Sequence, residues 1–414
     1  MRATRLIPVL LLAAGVTASA PAGAQTPEPS EEGDGLLHAM LVLEAQSIDV
    51  AFTPDLSADD AANRTLLDGT AGTRVRIGTI EGHQALRIGE LAPDLEALAE
   101  TYRAAAAVAA AAAAADSDSN EPDTDEDEAD ETEAEASNAE AEGAEEAPPE
   151  LWLAREAHGW RLEVVGYEDD ADGEIRAIPL SHRESAEAAP VLTASAMMTN
   201  TEEGQLTLRW GPHVWSADFR FDELPERPGT PRVSGRGQSR EASTDTTAFS
   251  RGVTLAERNE SALILPGGER ISLLYWKGID VEDEDYSRFE ETADGDVVEL
   301  VRAAPVRIKS DVGLRFGEMD LPTGNLAPGF AGAYAIWLRR SGDGWRLVFN
   351  NEPDSWGTRH DPEFDAVEVA VDYTRGDRSF RPLGGTLVPT GADRGRLLVH
   401  WGPHEWTADF TIAR

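Results

Sequence analysis

The stretch RWGPHVWSADF at residues 209–219 returns almost word for word as HWGPHEWTADF at residues 400–410. A phrase written twice constrains the fold more than composition does, because each repeat must be one structural unit that buries its apolar face alone or against its neighbour. The repetition extends further. LWLAREAHGWRLEVV at 151–165 aligns without gaps on IWLRRSGDGWRLVFN at 336–350, and LRIGEL at 86–91 resembles LRFGEM at 314–319. The blocks keep the same order in both halves, so the sequence predicts two copies of one domain, residues 36–222 and 260–414, joined by a Pro-, Gly- and Ser-rich linker over 223–259.

The period of the apolar residues sets the class. In LTLRWGPHVWSADFRF, alternation puts Leu206, Leu208 and Trp210 on one face and, after Gly211-Pro212, Trp215, Ala217, Phe219 and Phe221 on one face. The second copy supplies Leu397, Val399, Trp401, then Trp406, Ala408, Phe410 and Ile412. Gly relaxes the backbone and Pro gives up an N–H that a turn does not need, so WGPH reads as a tight turn between two strands. VEVAV, WRLVF and ISLLYW are strand-like as well, and Gly, Pro and Asn-Asp clusters separate them. The expected fold is all-β, two tandem related sandwich or barrel-like domains. Four tryptophan pairs match between the copies: Trp152 with Trp337, Trp160 with Trp345, Trp210 with Trp401, and Trp215 with Trp406. Large aromatics at matched strand positions are expected in the core.

The first copy carries an insertion over 104–149. It opens on a run of alanines that continues a helical pattern and passes into an acidic block with no Lys or Arg, expected to be disordered because it has too little apolar surface to offset ordering entropy. The N-terminus places Arg2 and Arg5 before an apolar run and ends in Ala22-Gly23-Ala24, the pattern of a signal peptide over 1–24. No later segment has the uninterrupted apolar length of a membrane span. The expectation is an exported, periplasmic or extracellular protein. With no cysteine, it is neither lipid-anchored through an N-terminal Cys nor disulfide-bonded. A formal net charge of −41 argues against nucleic acid and anionic membranes as partners.

Chemistry is harder to find. There is no G-x-S-x-G elbow, phosphate-cradling glycine loop, H-E-x-x-H or cysteine nucleophile. EDDADG at 168–173 begins like a calcium loop, but its twelfth position is Pro179 where a bidentate Glu is needed. His213 and His404 are the histidines matched between copies, and either is a metal ligand, a general base or a turn residue bonded to a backbone carbonyl. Only the second copy adds neighbours: His400, and the polar loop DSWGTRHDPEFD at 354–365 with Trp356, His360 and Asp361. Trp356, His360, Asp361, His400 and His404 are therefore the candidate ligand-binding set, and a divalent metal is the one cofactor they suggest.

GFAGAYAIWLRRSGDGWRLVFNNEPDSWGTRHD, residues 329–361, resembles the bacterial exported family called domain of unknown function 2911, in which a Gly-x-Tyr turn, a Trp-x-Leu-x-x-Asn strand and a Trp-Gly dipeptide follow one another. Gly332, Tyr334, Trp345, Leu347, Asn350, Trp356 and Gly357 fit that pattern, while the first copy keeps only Trp160 and Leu162 and has Val165 in place of the Asn. The resemblance implies an exported all-β domain and no particular activity. Three functions are compatible with the sequence: a non-catalytic module binding an envelope protein, a glycan or a small molecule; a metal-dependent hydrolase working at His360, Asp361, His400 and His404; or a structural, solubilising acidic envelope protein.

Overall fold

The computed structural model describes residues 35–43, 46–54, 56–82, 85–89, 148–166, 175–200, 202–222, 258–276, 279–299, 306–323, 333–342, 344–351, 360–376 and 382–413. Residues 1–24, where a signal peptide is expected, residues 104–147 of the expected insertion, residues 223–257 of the expected linker and Trp356 lie outside them. The chain is all-β, with two short α-helices among the described residues. The first half runs β1 (Leu37–Leu43), β2 (Gln46–Phe52), α1 (Ala61–Leu67), β3 (Thr73–Gly82), β4 (Leu86–Ile88), β5 (Glu150–Glu156), β6 (Gly159–Val165), β7 (Arg176–Met198) and β8 (Glu203–Phe221). The second opens with β9 (Arg258–Ile264), β10 (Arg270–Trp276), α2 (Glu284–Glu291), β11 (Val306–Ser310), β12 (Gly313–Phe316) and β13 (Met319–Leu321). It continues with β14 (Ala333–Ser341), β15 (Gly344–Asn350), β16 (Asp365–Ala370), β17 (Asp372–Arg375), β18 (Gly384–Gly391), β19 (Arg394–Trp401) and β20 (His404–Ala413).

Fourteen of these strands form one antiparallel sheet, in which the two halves join by the pairing of β1 with β9, Met40 lying opposite Ala262. Outward from that pair the order is β10, β11, β14, β15, β16 on one side and β2, β3, β5, β6, β7, β8, β4 on the other. Helix α1 follows β2 as α2 follows β10. A second sheet, β13-β12-β20-β19-β18 with β17 on β20, belongs to the second half; its counterpart in the first half is the pairing of β7 with β8 and of β8 with β4. The halves thus share one sheet, and one cluster of buried apolar side chains runs through both. A buried polar chain ties them as well. The Leu387 N–H donates to Ser261 Oγ at 3.0 Å, Ser261 Oγ meets Thr386 Oγ1 at 3.1 Å, and Thr386 Oγ1 donates to the Ala196 carbonyl at 3.3 Å.

The repeated hairpin folds as its pattern predicts. In the second half Trp401 pairs with His404 across Gly402 and Pro403, with Gly402 at φ +54°. In the first, Gly211 has φ +57°, and Gln205 bonds Asp218 across the two arms at 2.9 Å. A close approach is repeated also: a Cβ on Gly204 would lie 2.1 Å from the Phe219 ring, and one on Gly395 would lie 2.5 Å from the Phe410 ring. Of the eight matched tryptophans seven are buried, Trp152 being the half-buried one. Truncating such a residue to Ala typically costs roughly 3–5 kcal/mol, which is pressure enough to keep them in place.

Strand β14 departs from simple alternation because both of its faces are covered. Tyr334, Ile336 and Leu338 face the main core, whereas Ala335 and Trp337 join Val348 and Val297 in a small cluster on the opposite face.

Candidate functional site

The candidate residues fall in two places. His400 and His404 are both buried in the second half. His400 is 1 % exposed and stands opposite Gly384 on β18. A Cβ there would come within 2.9 Å of the His400 ring and 3.2 Å of Tyr275, so the glycine makes room for the imidazole. His404 closes the hairpin turn among Phe289, Trp406, Tyr373 and Tyr286. Its Nδ1 meets the Tyr373 hydroxyl at 2.7 Å, and its buried Nε2 has no hydrogen-bond partner. Burial, assisted by the positive charge of Arg375, lowers its pKa to about 4.

His360 and Asp361 lie elsewhere. The His360 ring meets Trp337 edge to face at 5.6 Å, on the face of β14 turned away from the main core. Asn350, whose side chain bonds the Asp361 carbonyl, and Trp345, which touches Trp406, stand at opposite ends of β15, roughly 17 Å apart at strand rise. The 360–365 segment and the WGPH turn therefore do not meet in one pocket. Among the described residues no three His, Cys, Asp or Glu side chains are grouped so as to hold a metal ion.

Around His360 the polar groups are highly organised. His360 Nε2 bonds Asp365 Oδ1 at 2.7 Å, and the Asn350 amide donates to the same oxygen at 2.8 Å. Arg339 donates to Asp365 Oδ2 at 3.0 Å and to Glu368 at 2.7 Å. Because Asp365 accepts from Nε2–H, the imidazole is held in the tautomer whose Nδ1 carries a lone pair, as in histidines that act as ligands, bases or acceptors. Asp361 serves its own turn instead. Its Oδ1 accepts from the Glu363 N–H at 3.0 Å and caps a 3₁₀ turn, Pro362–Phe364. Near this corner, an open cleft of about 340 Å³ is lined by Arg288, Glu291, Thr292, Asp296, Val297 and Glu299. Val297 is at once a wall of the cleft and a packing partner of the Trp337 cluster. A second void, bounded by Ile336, Leu347, Val399 and Trp401, is about 30 Å³, well below the several hundred Å³ of ordinary ligand pockets.

Two residues that sequence reasoning passed over complete the repeated turn, His182 in the first half and Tyr373 in the second. Each stands across the strand from a matched tryptophan, His182 from Trp215 and Tyr373 from Trp406. His182 Nε2 meets His213 Nδ1 at 3.0 Å, and His213 Nε2 meets the Leu67 carbonyl at 3.0 Å. The backbone-carbonyl bond expected of the turn histidine is thus present in the first half, where Leu67 ends helix α1. Arg155 lies over Trp160 at 5.1 Å and Arg340 over Trp345 at 4.9 Å, so a cation over an indole recurs at matched tryptophans in both halves. The signal that would have found His182 and Tyr373 is cross-strand placement, which the repeat conceals by putting different residue types there. Set against known proteins, the chain matches no family model, no curated protein and no solved structure.

Proposed function

We propose that this is an exported, non-catalytic binding protein of the cell envelope, built from two copies of one domain, and that the second copy takes a small hydroxyl-rich ligand such as a glycan on the outer face of β14. The observation that carries this reading is the adjacency of an acidic cleft, through Val297, to Trp337 and the His360–Asp365 pair. Carboxylates and a fixed imidazole acceptor suit hydroxyl donors, and an indole beside them supplies an apolar face. The signal-peptide pattern, the matched order of elements outward from β1 and β9, and the resemblance to the exported family support export and duplication. Among the described residues no helix is long and apolar enough to cross a membrane.

The test is a panel of soluble envelope glycan fragments titrated into the full chain and followed by tryptophan fluorescence. A saturable change that disappears in His360→Ala and survives in His182→Ala supports the placement. If no fragment gives a saturable change, or if His360→Ala binds as well as the unaltered chain, the site is not here.

A further inference from the structure

The first half contains an arrangement that the second lacks. The Leu67 carbonyl, having no hydrogen of its own, must accept from His213 Nε2–H, so the Nδ1 of His213 carries the lone pair. That lone pair faces His182 Nε2 at 3.0 Å, where the present contact is one shared hydrogen. Two imidazole nitrogens facing each other, one of them fixed by a carbonyl behind it, are the first and outer shells of a metal-binding histidine pair. Because His182 is exposed, its ring has solvent on one side and room to turn. Metal–imidazole bonds of about 2.0 Å need the nitrogens about 2.8 Å apart at the right angle of a tetragonal ion and about 3.3 Å apart at a tetrahedral angle, so either is a small adjustment of that ring from the 3.0 Å present. Glu184 stands directly across the strand from His213 and adds a carboxylate beside the pair, while the Arg155 guanidinium over Trp160 opposes a cation.

We propose that His182 and His213 chelate a late first-row divalent ion, Cu²⁺ ahead of Zn²⁺, with water filling the remaining positions. Two neutral imidazoles and water favour Cu²⁺ by ligand type and by the usual order of divalent affinities. At the matching place in the second half Tyr373 replaces the second imidazole, so the described residues hold this histidine pair in the first half alone. On binding, the Nε2 proton of His182 passes through solvent to the Nδ1 of the same ring, so both imidazoles stay neutral and no oxidation state changes, and binding weakens as the pH falls and the imidazoles protonate.

The probe is Cu²⁺ itself, added to the full-length protein at neutral pH. Electron paramagnetic resonance should show one bound ion coupled to two nitrogens, and the fluorescence of Trp160 and Trp215, whose rings lie 4.9–5.9 Å from their neighbours in this cluster, should be quenched. His182→Phe keeps an aromatic ring beside both tryptophans and removes the nitrogen. It should lower the affinity for the first equivalent of Cu²⁺ at least tenfold and abolish the two-nitrogen signal. Coupling to oxygen ligands only in the unaltered protein, or an unchanged two-nitrogen signal in His182→Phe, overturns the proposal. Glycan binding at His360 is independent of either result.

Discussion

The imidazole of His404 lies stacked on the phenol of Tyr373, ring centroids 5.8 Å apart, with the hydroxyl 2.7 Å from Nδ1 and the opposite nitrogen buried without a partner. The fold therefore holds this histidine neutral. An unfolded histidine takes up its proton near pH 6.5, whereas in the folded chain the pKa is about 4. Above pH 6.5 both states are neutral and the contribution is complete. As the pH falls from 6.5 towards 4 the unfolded state binds a proton that the folded state refuses, and stability is lost, by about 3 kcal/mol in all. Urea unfolding at a series of pH values should show this loss superimposed on the general acid response, and His404→Phe should remove that part of the slope. A His404→Phe chain with the same slope as the parent would contradict it.

Ser261 and Thr386 carry the polar chain that joins the halves. Ser261→Ala leaves the Leu387 N–H without its acceptor and takes from Thr386 one of its two hydroxyl contacts, in a buried setting. The expected cost is about 1–3 kcal/mol. Thr386→Val, made in the Ser261→Ala background, should add less than it costs alone, because the two hydroxyls belong to one network. Denaturant midpoints of the two single variants and the double variant give the comparison.

Gly384 is required by its neighbours. In Gly384→Ala the new methyl would press on His400 and Tyr275, both themselves buried, and about 1–3 kcal/mol should be lost. Thermal unfolding of His400→Ala/Gly384→Ala against the single variants tests the cause, since a smaller side chain relieves the contact. Additive losses would place the strain elsewhere.

Asp365 receives three donors, from His360, Asn350 and Arg339. Asp365→Ala frees His360 to turn and leaves Arg339 paired to Glu368 alone. Because Asp365 is partly exposed, the stability cost should stay near 1–2 kcal/mol. Ligand binding followed by tryptophan fluorescence should suffer more than stability, and an unaltered titration would show that His360 needs no orientation to work.

The hairpin, its core face and its turn were legible because period-two alternation and Gly-Pro chemistry are local. The burial of Trp210, Trp215, Trp401 and Trp406 follows from them. What the linear order could not express was which face of β14 each end of the candidate set would occupy. His360 and His404 are both close in sequence to matched strands, yet a one-residue step along a strand changes face, and Trp337 and Leu338 part company for that reason. Nor does the repeat announce the partner across the strand, since His182 and Tyr373 meet equivalent neighbours with different chemistry. The pairing of β1 with β9 was likewise hidden, being a contact between the two halves of the chain rather than a property of either.

That pairing also bears on how the protein keeps apart from its own kind. A strand at the rim of a sheet offers unpaired N–H and C=O groups to any extended chain that drifts past, and of the strands that would form the rim of each half alone, LHAMLVL has no Asp, Glu, Lys or Arg to discourage it and RNESALI has charges only at Arg258 and Glu260. By laying β1 along β9, each half seals the other's most adhesive border, so the chain acts as its own guard against stacking into fibres.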